Sequence, residues 1–147
     1  MFLNNPIPSI QYSDHTDNQG VILGALVALN KASPNSSYIS TAQAIADAAL
    51  DHLTDSNGVL HDSCEPNCGG DGSQFKGVFA RNLQALQKEH GKSSYAAFLQ
   101  TNADAIWQDD NQNGELSVVW SGPYVSPANA STQSSALDAI VGAQAVA

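Results

Sequence analysis

Carboxylates are the reactive side chains this chain offers in greatest number, with 14 Asp and Glu against 5 Lys and Arg. Paired carboxyl groups, one protonated to donate and one ionised to attack or to activate water, can do general acid–base work. The neighbouring pair Asp109-Asp110 has the composition for that work but not the geometry. Adjacent helical residues point about 100 degrees apart, and this pair falls where an amphipathic segment runs out, so a solvated helix end is expected. The stretch from Asp109 to Gly114 also opens like a calcium loop, but Trp120 stands at the twelfth position, where a bidentate Glu is required. A polar turn is the expected structure there.

Cys64 and Cys68 are the only cysteines, with His61 and Asp62 close by. Structural zinc wants four spaced ligands, and no second Cys or His pair accompanies these. A loop-stapling disulfide is expected, with free thiols as the alternative. No metal or cofactor is expected. The chain has no Gly-x-Ser-x-Gly elbow and no phosphate-binding glycine loop. Asn35-Ser36-Ser37 and Asn129-Ala130-Ser131 read either as glycan acceptors or as ordinary polar loops.

The elements that must position these residues are helical. A chain of 147 residues can bury about two-thirds of its unfolded surface, enough for one core. Met1 to Thr16 lacks periodicity and reads as an extended arm, bounded at residues 1–17. From Gln19, the run Val21, Ile22, Leu23, Ala25, Leu26, Val27 and Leu29 is apolar nearly all round, which predicts a helix inside the fold. Tyr38, Ile39, Ala42, Ile45, Ala46, Ala49, Leu50 and Leu53 recur at three and four, an amphipathic helix. A third is predicted from Ser73 to His90, with Phe75, Phe79, Leu83 and Leu86 inward and Gly91 as a left-handed stop. The fourth has Ser94 as N-cap and Tyr95, Phe98, Leu99, Asn102, Ala103, Ile106 and Trp107 inward. The fifth, Ser131 to Val146, is Ala-rich with Leu137, Ile140 and Val141, and again reads as internal. Short turns join partners and long loops separate pairs, the pattern of a helical-hairpin array. The apolar first and last helices favour an arc of a larger ring over a compact bundle.

Four motifs follow one another along these elements. They are Asp17-Asn18-Gln19-Gly20-Val21-Ile22-Leu23-Gly24, Gly58-Val59-Leu60-His61-Asp62-Ser63-Cys64, Gly72-Ser73-Gln74-Phe75-Lys76-Gly77-Val78-Phe79-Ala80-Arg81-Asn82-Leu83 and Trp120-Ser121-Gly122-Pro123. In that order they resemble the second half of glycoside hydrolase family 76, the endo-α-1,6-mannanase-like enzymes, from about Asn18 onward. The resemblance implies an all-α fold, part of an (α/α)6 toroid with about five helices over residues 18–147, and an open groove for α-1,6-linked mannan. It also implies Asn18, Gln19, Asp71, Gln74, Phe75, Lys76, Trp120 and Tyr124 as sugar-binding candidates, because sugars need flat apolar faces beside planar hydrogen-bonding groups. Family members use adjacent aspartates on an amino-terminal loop that nothing before Asp17 matches, so this chain alone is expected to be inactive. The family has an aromatic before Asn-Gln-Gly, where Asp17 stands here.

The net charge of -9 repels phosphate backbones at long range, so nucleic acid is not an expected partner. No run is long enough to cross a bilayer. The opening Met1-Phe2-Leu3-Asn4-Asn5-Pro6 lacks a basic and an apolar leader region, which leaves a removed leader or a fragment as the two expectations. Together with the cysteines and sequons this composition suits a secreted or wall-associated protein. A lone arc whose flanking helices are apolar is expected to dimerise, to rearrange into a bundle or to aggregate. The alternative to a fragment of an enzyme is a non-catalytic module that binds mannan or pairs with a second copy of itself.

Overall fold

The computed structural model describes residues 15–147. Its elements are α1 (Thr16–Ala32), α2 (Ser36–His52), the single turn α3 (Gly69–Gly72), α4 (Phe75–His90), α5 (Ser93–Asp109), the two-residue strands β1 (Asn111–Gln112) and β2 (Glu115–Leu116), and α6 (Ala130–Gln144). The five long helices form two layers. α1, α4 and α6 lie side by side, α2 backs α1, and α5 backs α4 and α6. Leu23, Phe79, Leu83, Leu86, Leu99 and Ile106 fill the space between them and are fully buried. Each contributes about 1.5–3 kcal/mol through removal from water.

Glycines set the spacing of the inner layer. A Cβ on Gly20 would lie 2.6 Å from the Cα of Phe79, and one on Gly77 would lie 2.6 Å from the Cα of Ser135. Only a hydrogen fits at either crossing, so the glycine of the Asn-Gln-Gly segment presses α1 onto α4, and that of the Phe-Lys-Gly segment presses α4 onto α6. Ser135 Oγ accepts from the Gly77 N–H at 2.9 Å inside the second crossing.

Several expectations are corrected. α1 and α6 are not enclosed. Leu23, Leu26 and Val27, and likewise Ala136, Ala139 and Ala143, face the core, while Val21, Ile22, Leu29, Leu137 and Val141 stand exposed. These helices flank the inner row, so each has a neighbour in that row on one side only. Gly91 is extended at φ −69° instead of left-handed. Its small size matters for another reason, since a Cβ there would meet the Gln87 carbonyl at 2.5 Å. α5 starts at Ser93 after Lys92, whose N–H is held by Gln87 Oε1 at 2.9 Å, so Ser94 is not the cap. α4 begins at Phe75, two residues later than expected, and α6 spans Ala130–Gln144 instead of Ser131 to Val146. Trp107 is 62% exposed and does not join the inward stripe. Thr16 and Asp17 already belong to α1, and residues 1–14 of the expected arm lie outside the described residues. The polar turn at Asn113-Gly114 closes the β1–β2 hairpin with both residues at positive φ, 57° and 90°.

Candidate functional site

The amino ends of α1 and α4 meet two long loops, 53–74 and 117–129, at one end of the arc. α1 has no side-chain cap of its own at His15. The loop residue Asp62 supplies one: its carboxylate accepts from the Thr16 N–H and the Thr16 hydroxyl, both at 2.9 Å. A carboxylate here also meets the positive end of the helix dipole. Burial pushes the Asp62 carboxyl above its ordinary value, and the two Thr16 bonds pull against that.

Glu65 knots the loop to α4. Its carboxylate accepts from the Asp62 N–H at 3.0 Å, meets His61 Nδ1 at 3.1 Å, and pairs with the Lys76 ammonium at 2.6 Å. Lys76 also donates to the Val118 carbonyl at 2.7 Å and lies 4.6 Å from the centre of the Trp120 ring. Burial pushes the Lys76 ammonium down, against the pull of Glu65. The Cys64–Cys68 disulfide closes the loop around Glu65.

Asp110 completes the buried polar cluster. It is fully enclosed, accepts a short hydrogen bond from the Ser117 hydroxyl, and its carboxyl is raised to about 6 by burial, with Ser117 and Lys76 opposing. Ser117 Oγ in turn accepts from the Val125 N–H at 3.0 Å, so the pair anchors the loop that carries Trp120. The expectation of a solvated end at Asp109-Asp110 therefore holds for Asp109 alone. Asp110 lies one turn beyond Ile106 on the stripe that also carries Asn102, and that register buries it.

Among the sugar-binding candidates, the structure brings Phe75 against the His15 ring, with centroids 5.1 Å apart. Gln74 and Asp71 are exposed beside it in sequence, and the Gln74 amide reaches the Gly70 carbonyl at 3.4 Å. Gln19 is half-buried and Asn18 exposed on the first turns of α1. Lys76 and Trp120 are stacked on each other inside the protein, 2% and 1% exposed, and both bind neighbours that belong to this chain. Tyr124 is half-buried, donates to Glu115 at 2.7 Å and accepts from the Ala128 N–H at 3.2 Å. Asn35 and Asn129 are helix N-caps: their Oδ1 atoms accept from Ser37 at 3.0 Å and from Ser131 at 2.9 Å. Asp62, Glu65, Asp110 and His15 were not singled out as site residues from the sequence. Asp62 stood inside a motif and Asp110 in the inward register, but nothing local marks Glu65 as the partner of Lys76, eleven residues away on another element.

His15 Nδ1, Asp17 Oδ1, Gln19 Oε1, Asp110 Oδ2 and Trp120 Nε1 are buried polar atoms without a hydrogen-bond partner. Three of the five lie at the start of α1, where the His15 ring meets Phe75. Unpaired buried polar atoms cost about 1–3 kcal/mol each, so packing at this end of the arc is less favourable than in the apolar core.

Paired helices in two layers, with recognition motifs gathered on loops at one end, define an arc of an (α/α) toroid. The family model of Glycosyl hydrolase family 76 matches residues 4–146, and this chain belongs to that family. A protein of Listeria innocua shares 27% identity with it at a TM-score of 0.78, over 88% of this chain and 37% of its own. An inactive α-1,6-mannanase variant of Salegentibacter sp. HEL1_6, in complex with α-1,6-mannotriose, superimposes at a TM-score of 0.80 with 22% identity, over 90% and 40% of the two chains. A second inactive variant of that enzyme, in complex with α-1,6-mannotetrose, gives 0.75 and 22%, over 89% and 39%. The chain thus spans about two-fifths of the solved structures it matches. A comparison with curated proteins returns no match. Among the described residues, no helix is long and apolar enough to cross a membrane.

Proposed function

We propose that this chain is the sugar-binding arc of a secreted or wall-associated protein that acts on α-1,6-linked mannan, and that by itself it binds the polymer without cleaving it. One observation carries the reading. A continuous path of contacts runs from Phe75 to His15, from Thr16 to Asp62, through Glu65 to Lys76 and on to Trp120. It ties three of the four motifs to one end of the arc, together with His15 and Thr16, the residues that lead into the first motif on α1. Phe75 then offers an aromatic face, and Asn18, Gln19, Gln74 and Asp71 offer planar polar groups, for the hydroxyls of a hexose. Lys76, Trp120 and Tyr124 serve this face by positioning its loops.

The lack of cleavage is supported by the state of three carboxylates at this end of the arc. Hydrolysis needs two of them on opposite sides of one sugar. Asp62 is spent on Thr16, Glu65 on Lys76 and Asp110 on Ser117, all away from open solvent. The test is titration of the purified chain with α-1,6-mannotriose, followed by NMR, beside an assay for reducing ends released from α-1,6-mannan. Binding at Phe75 and Gln74 without turnover is expected. Turnover would overturn the proposal.

A second reading, self-association, draws on the exposed Val21, Ile22 and Leu29 of α1 and Leu137 and Val141 of α6. Clustered exposed apolar side chains of this kind are suited to contact with another surface. A second copy would cover them.

A further inference from the structure

Trp107 is the most exposed large apolar side chain among the described residues. It stands at a groove of about 400 Å³ between α5 and the last turns of α6, a volume within the range of small-ligand sites. Ala103 and Ile140 contribute apolar wall, and Asp104, Gln108 and Gln144 contribute polar groups. None of these residues belongs to the cluster at the amino ends of α1 and α4.

We propose that this groove is a second carbohydrate site, which takes one or two neutral hexose units of the same polysaccharide with the Trp107 indole as the stacking platform. The inference rests on the reading of the chain as a mannan-binding arc and adds to it a surface that the four motifs do not touch. Three properties of the groove select a sugar. An indole presents a wide, flat apolar face at low cost in conformational entropy, which matches the C–H face of a pyranose. The Asp104 carboxylate and the Gln108 and Gln144 amides make no hydrogen bond or ion pair among the described residues, so their donors and acceptors are available to ring hydroxyls. No cationic side chain lines the groove and the chain carries a net charge of -9, so a phosphate or carboxylate ligand would be repelled. A packed apolar helix is the poorer occupant, because it would strip water from one carboxylate and two amides without replacing their hydrogen bonds. Two sites on one chain would hold a polymer at two points, which raises its residence without tighter contacts at either.

The experiment is a titration of the full chain with α-1,6-mannotriose, read by the indole N–H resonances and by fluorescence. Trp107 and Trp120 are the two tryptophans, and Trp120 is buried, so the exposed indole reports on the groove directly. The expected result is a saturable shift of the Trp107 N–H together with the Asp104 and Gln108 amides. It should persist in Phe75→Ala and weaken about tenfold in Trp107→Ala, where the two amides still report. Shifts around Phe75 with Trp107 unmoved would overturn this inference and leave the first site standing. Shifts at Trp107 alone would support it and sink the reading of Phe75. A Trp107 signal that follows protein concentration and ignores sugar would overturn it in favour of a contact between copies.

Discussion

The Lys76 ammonium rests over the Trp120 ring, 4.6 Å from its centre, while the Glu65 carboxylate pairs with its charge at 2.6 Å. A cation buried this deeply is tolerable only with both partners in place. The arrangement joins α4 to both site loops, so two residues that resemblance offered as sugar contacts hold the loops that frame the proposed sugar face.

Removal of one partner therefore strands the other. Lys76→Met should lower stability by about 3–5 kcal/mol, because Glu65 would stay buried without a cation. Adding Glu65→Gln to it should restore at least half of the loss. Urea denaturation of the two variants measures both effects, and equal stability of Lys76→Met and wild type would rule out the buried pair.

Helix spacing gives a second prediction. Gly77→Ala places a methyl 2.6 Å from the Ser135 backbone, and should cost about 1–3 kcal/mol despite the better helix propensity of alanine. Gly142→Ala is the control. There the nearest atom is the Leu99 Cδ2 at 3.4 Å, so propensity should prevail and add about 0.5–1 kcal/mol. Thermal unfolding of the pair should move in opposite directions.

Asp110 gives a third, in pH. Its folded carboxyl sits at about 6 against an ordinary 3.8, so between those values the folded state binds more protons than the unfolded one. Stability must then fall as pH rises from about 4 to 6, by about 3 kcal/mol in the limit of full ionisation. Asp62, also raised by burial, adds a slope of the same sign. Asp110→Asn removes its share, so stability measured across pH 4 to 7 should decline less steeply in the variant.

The flanking helices give a fourth. If a second copy covers Val21 and Val141, 58% and 57% exposed, then Val21→Asp with Val141→Asp should reduce the mass seen by light scattering to that of one chain. Mannotriose binding at Phe75 should survive the change. A wild-type chain that is monomeric at high concentration would dismiss self-association.

Much of the architecture was legible along the chain because helices declare themselves locally. The three-and-four spacing from Tyr38 to Leu53 and from Tyr95 to Ile106 needs no knowledge of partners, and both helices stand where the pattern puts them. Trp107 misled because it adjoins Ile106, and one residue is enough to turn a side chain about 100 degrees. Asp110 misled in the opposite sense: its charge suggested water, while its register with Ile106 and Asn102 placed it inside.

The sequence by itself determined five long helices and the order of four motifs, since each is written in contiguous periodicity or contiguous identity. Only the tertiary structure decided that Glu65 neutralises Lys76, that Asp62 caps α1 from 46 residues away, and that Trp120 is enclosed while Trp107 is not. Those outcomes depend on which surfaces meet when helices pack. A charge pair such as Lys76 with Glu65 is a property of the neighbours that arrive, which no local pattern encodes.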